Sequence, residues 1–159
     1  IGLNILKCLC IRIFIIIFTP SKKKKNMNNK NKKRLGIGPD DLIKDLNTMG
    51  LLFETMAIRD LRVYADALGG KVYHYRDKNG LECDAIIHLR NGKYGLVEIK
   101  LGGDSLIESG AKTLKSLATK IDTEKMNAPS FMMVLAGVGK YAYTRADGVT
   151  VVPISALGV

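Results

Sequence analysis

Tryptophan is absent from this chain of 159 residues, and histidine, cysteine and proline occur only two, three and four times. Cys8 and Cys10 lie near the start and Cys83 stands alone in the remainder, so no disulfide framework can staple a domain, in keeping with a reducing cytoplasm. Cys8 and Cys10 also lack the C-x-x-C spacing of a zinc site and read as apolar filler. No G-x-x-x-x-G-K-[ST] loop is present, which excludes ATP hydrolysis by this chain alone. No internal repeat is visible.

Acidic residues are missing from the first 34 positions, which hold ten of the 25 Lys and Arg. The net charge of +10 therefore belongs to that stretch, and the remainder balances 15 bases against 15 acids. A DNA-binding stripe on the remainder has to be local. Ile5 to Thr19 is apolar and Ser21 to Arg34 is a Lys/Asn run, so residues 1–35 form a non-core leader with its own composition. The apolar run falls short of the roughly 20 residues of a membrane span and carries Lys7 and Arg12. Thr19-Pro20-Ser21 followed by lysines fits a secretory cleavage site poorly. The preferred reading is a segment foreign to the domain, of the kind A/T-rich DNA encodes when read out of frame. A native lysine run would instead hold anionic lipid or nucleic acid by charge, and a membrane partner is expected only then.

Residues 36–159 suffice for one domain with a usable core. Phe53, Ala57, Leu61, Tyr64 and Leu68 recur at helical spacing within Leu51 to Leu68, predicting a helix with one packed face. Gly80 to Leu89 and Lys93 to Lys100 flank Asn91-Gly92 and read as a β-hairpin, with Asn79-Gly80 marking the preceding turn. After Gly102-Gly103, Ser105-Leu106-Ile107-Glu108 resembles a capping box. It opens a helix whose inner face is expected to carry Leu106, Gly110, Leu114, Leu117 and Ile121. Ser130 to Ala136 reads as a strand buried on both faces, and Tyr141 to Thr144 with Val149 to Ile154 as a closing pair around Asp147-Gly148.

Side chains alternate along strands, so Glu82 and Asp84 share one face of the first hairpin strand, and Glu98 and Lys100 one face of the second. Converging carboxylates suit a hard cation such as Mg²⁺. Such an ion acidifies water and stabilises charge on a phosphate, while a lysine orients or activates the attacking water. An unliganded cluster of this kind is repulsive, and removal of Glu98 is then expected to cost little stability. The plain alternative is an amphipathic hairpin with a charged wet face. Glu54, at the edge of the helical stripe, either delivers a further carboxylate or is a surface glutamate near a helix start. His74 reads as a half-buried structural histidine rather than a catalytic one.

The order helix, three strands, helix, strand, with Glu54, Asp84 and Glu98-Ile99-Lys100 in place, resembles the PD-(D/E)XK superfamily. More specifically, Gly50-Leu51-Leu52-Phe53-Glu54, Tyr73-His74-Tyr75-Arg76-Asp77, Glu82-Cys83-Asp84 and Val97-Glu98-Ile99-Lys100 resemble a C-terminal domain of unknown function. That domain follows the ATPase domain in many bacterial and archaeal AAA-type proteins. The resemblance covers roughly Pro39 to Gly158; Cys83 replaces the superfamily's proline, and the ATPase half is missing. It implies an α/β, restriction-endonuclease-like αβββαβ core, with a central mixed sheet flanked by helices. Glu54, Asp84, Glu98 and Lys100 then stand at catalytic positions, with Asp84 and Glu98 as Mg²⁺ ligands. The expected function is an interaction or regulatory module whose partner is an AAA-type ATPase domain or another protein. The alternative is a Mg²⁺-dependent phosphodiesterase acting on DNA.

Overall fold

The computed structural model describes residues 39–157, so the leader read over residues 1–35 lies outside the described residues. These residues belong to two units divided between Met56 and Ala57, inside one long helix. In the first unit, α1 (Pro39–Lys44) opens on a proline, with Asp40 and Asp41 in its first turn and Lys44 in its last, as the helix dipole favours. The next helix, α2 (Leu46–Ala67), starts five residues before the predicted stripe. Asp45 sets that start, because its carboxylate accepts the Thr48 backbone N–H at 3.1 Å and the Thr48 hydroxyl at 2.6 Å. Met49, Phe53 and Met56 recur on one buried stripe of this half.

In the second unit α2 continues that stripe through Ala57, Leu61 and Ala65, all buried. Leu68, expected on the packed face, is 70% exposed, since the helix ends at Ala67 and Leu68 already belongs to the turn into the sheet. The strands are β1 (Gly70–Arg76), β2 (Glu82–Leu89), β3 (Tyr94–Lys100), β4 (Phe131–Ala136), β5 (Tyr143–Thr144) and β6 (Thr150–Pro153). They form one mixed sheet in the order β1-β2-β3-β4-β6-β5. The first three make an antiparallel meander, whereas β3, β4 and β6 run parallel. The connection from β3 to β4 is α3 (Asp104–Lys120), as a parallel pair requires.

Both Asn-Gly pairs form turns, with Gly80 and Gly92 at φ of +83° and +79°. At the first, the Asp77 carboxylate accepts the N–H groups of Asn79 and Leu81 at 2.8 and 2.9 Å and the Lys120 ammonium at 2.8 Å. That clamp joins the β1–β2 turn to the end of α3. The expected strand at Ser130 to Ala136 is present, buried from Met133 to Ala136, but Phe131 stays 41% exposed near its start. Of the closing pair, Tyr141 to Thr144 contracts to the two residues of β5.

The capping box does not form. α3 begins one residue before Ser105, on Gly103, whose carbonyl accepts the Leu106 and Ile107 N–H groups, and no side chain caps it. Glu108 is engaged elsewhere, accepting Arg145 Nη2 at 2.6 Å. Consequently Ile107, Gly110, Ala111, Leu114 and Leu117 face inward, while Leu106 is 45% exposed. They meet Leu96, Val134, Val149 and Val151 in the main core. Among the described residues no helix is long and apolar enough to cross a membrane.

Leu114→Ala, at a fully buried position, is expected to cost about 2–5 kcal/mol by urea denaturation, from lost transfer energy plus the cavity left. Hydrogen bonding from Lys120, and then from the turn N–H groups, holds the Asp77 carboxyl below its ordinary 3.8 against a smaller opposing effect of burial. Its stabilisation is therefore present above that value and lost as pH falls through the lowered one. Asp77→Asn should flatten that acid limb of the stability profile, and an unchanged limb would place the acid transition elsewhere.

Candidate functional site

The register of β2 on β3 runs from His88↔Tyr94 to Ala85↔Val97 and stops there. One residue further along each strand stand Asp84 and Glu98, on the same face by alternation. Where the ladder opens, Asp84 Oδ2 accepts the Ile99 backbone N–H at 2.7 Å, so a side chain satisfies a donor at the end of the paired strands. Cys83 is fully buried beside this opening, with Sγ 3.4 Å from the carbonyl oxygens of both Ala85 and Val97. Burial first, and the nearby Glu98 charge among the smaller effects, pushes its thiol up to about 11, so it behaves as a small apolar residue at neutral pH.

β3 is buried continuously from Tyr94 to Ile99, and Glu98 retains only 3% exposure. The wet-face reading of the hairpin therefore fails for this strand. Glu98 is instead the one buried charged residue among the described residues, compensated by Lys100, whose Nζ lies 2.7 Å from Glu98 Oε2 and 3.6 Å from Asp84 Oδ2. The repulsion expected between the two carboxylates is present, with the Lys100 ammonium set against it. Burial raises the Glu98 carboxyl above its ordinary value, the Lys100 hydrogen bond offsets part of that, and the Asp84 charge adds to it. For Lys100 burial acts downward, but the Glu98 hydrogen bond and both carboxylate charges together hold it above its ordinary 10.5.

Helix α3 closes over these residues at Gly110. A Cβ built there would lie 3.3 Å from Val134 Cγ2, 3.4 Å from Glu98 Cβ and 3.4 Å from Lys100 Cε. The missing side chain is thus what lets the helix rest on the acid and the lysine stem. Beside it opens a cleft of about 260 Å³, lined by Asp84, Glu98 and Lys100 with Glu82 and Thr113. Glu82 shares the Asp84 face as expected and is held by His74 Nε2 at 3.1 Å and Arg76 Nη1 at 3.7 Å. The His74 side chain is 52% exposed, on the β1 side facing Glu82. Sequence reasoning placed Gly110 on the inner face of the helix but not at the site, and missed Thr113. A glycine inside the apolar stripe of a helix was the available signal for the first; for Thr113 there was none.

Three of the four predicted site residues, Asp84, Glu98 and Lys100, are brought together. Glu54 lies half-buried on α2 in the first unit. The oxygen donors of Asp84 and Glu98 fit a hard divalent cation in kind. Among the described residues no group of three or more acid, histidine or cysteine side chains gathers in metal-binding geometry.

These features define a mixed α/β domain with an acid–acid–lysine cluster at the open end of a hairpin. The chain belongs to a family described as a domain of unknown function, DUF4143, which it matches over residues 49–157. No curated protein and no solved structure matches it.

Lys100→Met leaves a buried carboxylate without its counter-ion and is expected to cost about 3 kcal/mol. Glu98→Gln combined with it should recover much of the loss, a coupling that a double-mutant cycle measures. In Lys100→Met alone, the folded state holds the Glu98 proton more tightly than the unfolded chain. Stability should then rise as pH falls through the raised Glu98 value toward the ordinary carboxylate range.

Proposed function

We propose that this chain is the C-terminal, nuclease-like domain of an AAA-type ATP-binding protein and acts as an interaction or regulatory module. The observation that carries this reading is the 2.7 Å Lys100–Glu98 contact. The ammonium is committed to an internal carboxylate only 4% exposed, and the Asp84 carboxylate to a backbone N–H. Groups satisfied in this way brace the end of a sheet without turnover. The association with an AAA-type ATPase rests on the resemblance of the four ordered motifs from Gly50 to Lys100 alone.

A second reading, Mg²⁺-dependent phosphodiester hydrolysis of DNA, is favoured by the convergence of Asp84, Glu98 and Lys100 on one open cleft. Asp84 and Glu98 would hold the cation, which supplies a more acidic water and neutralises charge on the phosphate. In that reading Lys100 leaves its carboxylate partner and orients the nucleophile. The restriction-endonuclease-like description of the core belongs to this proposal too.

The readings separate on metal linkage. A hydrolase should gain thermal stability from Mg²⁺ or Mn²⁺ by mass action, lose that gain in Asp84→Ala, and cut labelled single- or double-stranded DNA in a Lys100-dependent way. A module should show neither effect, with Lys100→Ala changing stability alone. Cleavage abolished by Lys100→Ala would overturn the module reading.

A further inference from the structure

β1 is the outer strand of the sheet among the described residues, pairing with β2 alone. Alternate residues of such an edge present unpaired N–H and C=O groups outward. Between this strand and the last turns of α2 runs a groove of about 460 Å³, whose walls include Arg62, Val63, Asp66, Lys71 and Tyr73. A second hollow of about 210 Å³ shares Asp66, Lys71 and Tyr73 and reaches Arg90. The floor is apolar and open, with Val63 64% and Tyr73 52% exposed. Tyr73 is braced edge-on by the His88 ring at 6.5 Å, so its position is fixed from the neighbouring strand.

Cations elsewhere on the described surface are partly paired and partly, as at Lys78, Lys93 and Lys140, without an ion pair among the described residues, but here three of the latter kind line two adjoining hollows. Arg59, Arg76, Lys112, Lys120, Lys125 and Arg145 all meet carboxylates. Arg62, Lys71 and Arg90 have no ion-pair partner among the described residues, and Asp66 is the one acid lining the two hollows. An exposed strand edge, an apolar floor and three uncompensated cations together ask for a ligand with a matching backbone, apolar side chains and negative charge.

We propose that this groove docks an extended acidic peptide segment of a protein partner, which adds to the sheet alongside β1. Its main chain takes up the edge donors and acceptors, and its row of side chains on the groove face carries apolar groups over Val63 and Tyr73 and carboxylates toward Arg62, Lys71 and Arg90 in turn. A single-stranded nucleic acid would satisfy the cations and stack on Tyr73, but it has no donor and acceptor alternation to match a strand edge. The surface shares no lining residue with the acid–lysine cleft. The inference therefore goes beyond the module reading and does not depend on what the cleft does.

The test is fluorescence anisotropy of the full chain with a labelled glutamate–valine peptide, in which every second residue is valine and glutamate in turn, separated by threonines, so that one face carries both. Probes for comparison are the lysine–valine counterpart, the glutamate–valine peptide N-methylated at alternate residues, and oligo(dT). Saturable binding of the glutamate–valine peptide is expected, weakened about tenfold or more by N-methylation or by the combined changes Arg62→Glu, Lys71→Glu and Arg90→Glu. Lys112→Ala, at an exposed position lining neither hollow, should leave it unchanged. Absence of binding, equal affinity for the N-methylated peptide, or tighter binding of oligo(dT) would each overturn the proposal. The N-methylation and oligo(dT) comparisons use the unaltered protein, so the outcome stands even where the triple variant folds poorly.

Discussion

A charged side chain buried in the centre of a sheet is the constraint on which the rest of this domain is arranged. Glu98 lies in β3 between two apolar neighbours, Val97 and Ile99, and β3 sits between β2 and β4 in the sheet order. A carboxylate there is tolerable only with a counter-ion close by. Lys100, two residues on and on the same face, supplies it without asking any other element to move. The price is a lysine in the strand that must itself be sheltered, and at Gly110 α3 leaves free the place where a Cβ would crowd its stem at 3.4 Å.

That contact links the cluster to the topology. β3 and β4 are parallel, so the chain must return through a crossover, and the crossover helix is the element that covers Glu98 and Lys100. Its inner face also forms the core with Leu96 and Val134. Stability of the sheet and shape of the cleft are consequently set by the same helix. At its far end Lys120 clamps the Asp77 turn that leads into β2, so both ends of the strand bearing Asp84 are tied down, one by α3 and one by the Asn91-Gly92 turn.

Much of this was legible in the sequence, for identifiable reasons. The Asn-Gly pairs impose positive φ, and alternation from Glu82 to Lys100 then puts Asp84, Glu98 and Lys100 on one face whatever else the chain does. The failures come from tertiary competition. Ser105 and Glu108 have capping-box spacing, but Arg145, 37 residues downstream of Glu108, takes that carboxylate and the helix starts on Gly103. Leu68 continues the helical period on paper, yet the turn into β1 ends the helix first. Burial of Glu98 could not be read from spacing, because a solvated strand and a central one carry the same acid–lysine pattern until the neighbouring strands are known. The identity of the family is equally beyond what spacing alone conveys.

β1 brings the two surfaces of the domain into one strand. Near its start Lys71 and Tyr73 border the groove beside α2, and near its end His74 and Arg76 hold Glu82 at the mouth of the acid–lysine cleft. Between them the register against β2 shifts, from Tyr73↔Ile86 to Tyr75↔Cys83, so that Asp84 and Ala85 of β2 together stand opposite His74 and the extra residue belongs to β2. Bulged strands bend and twist more strongly at the extra residue. A peptide strand laid along β1 would favour a straighter edge and so bear on the position where Asp84 joins the acid–lysine cluster. β1 thus borders the groove near its start and the mouth of the cleft near its end, with no side chain lining both hollows.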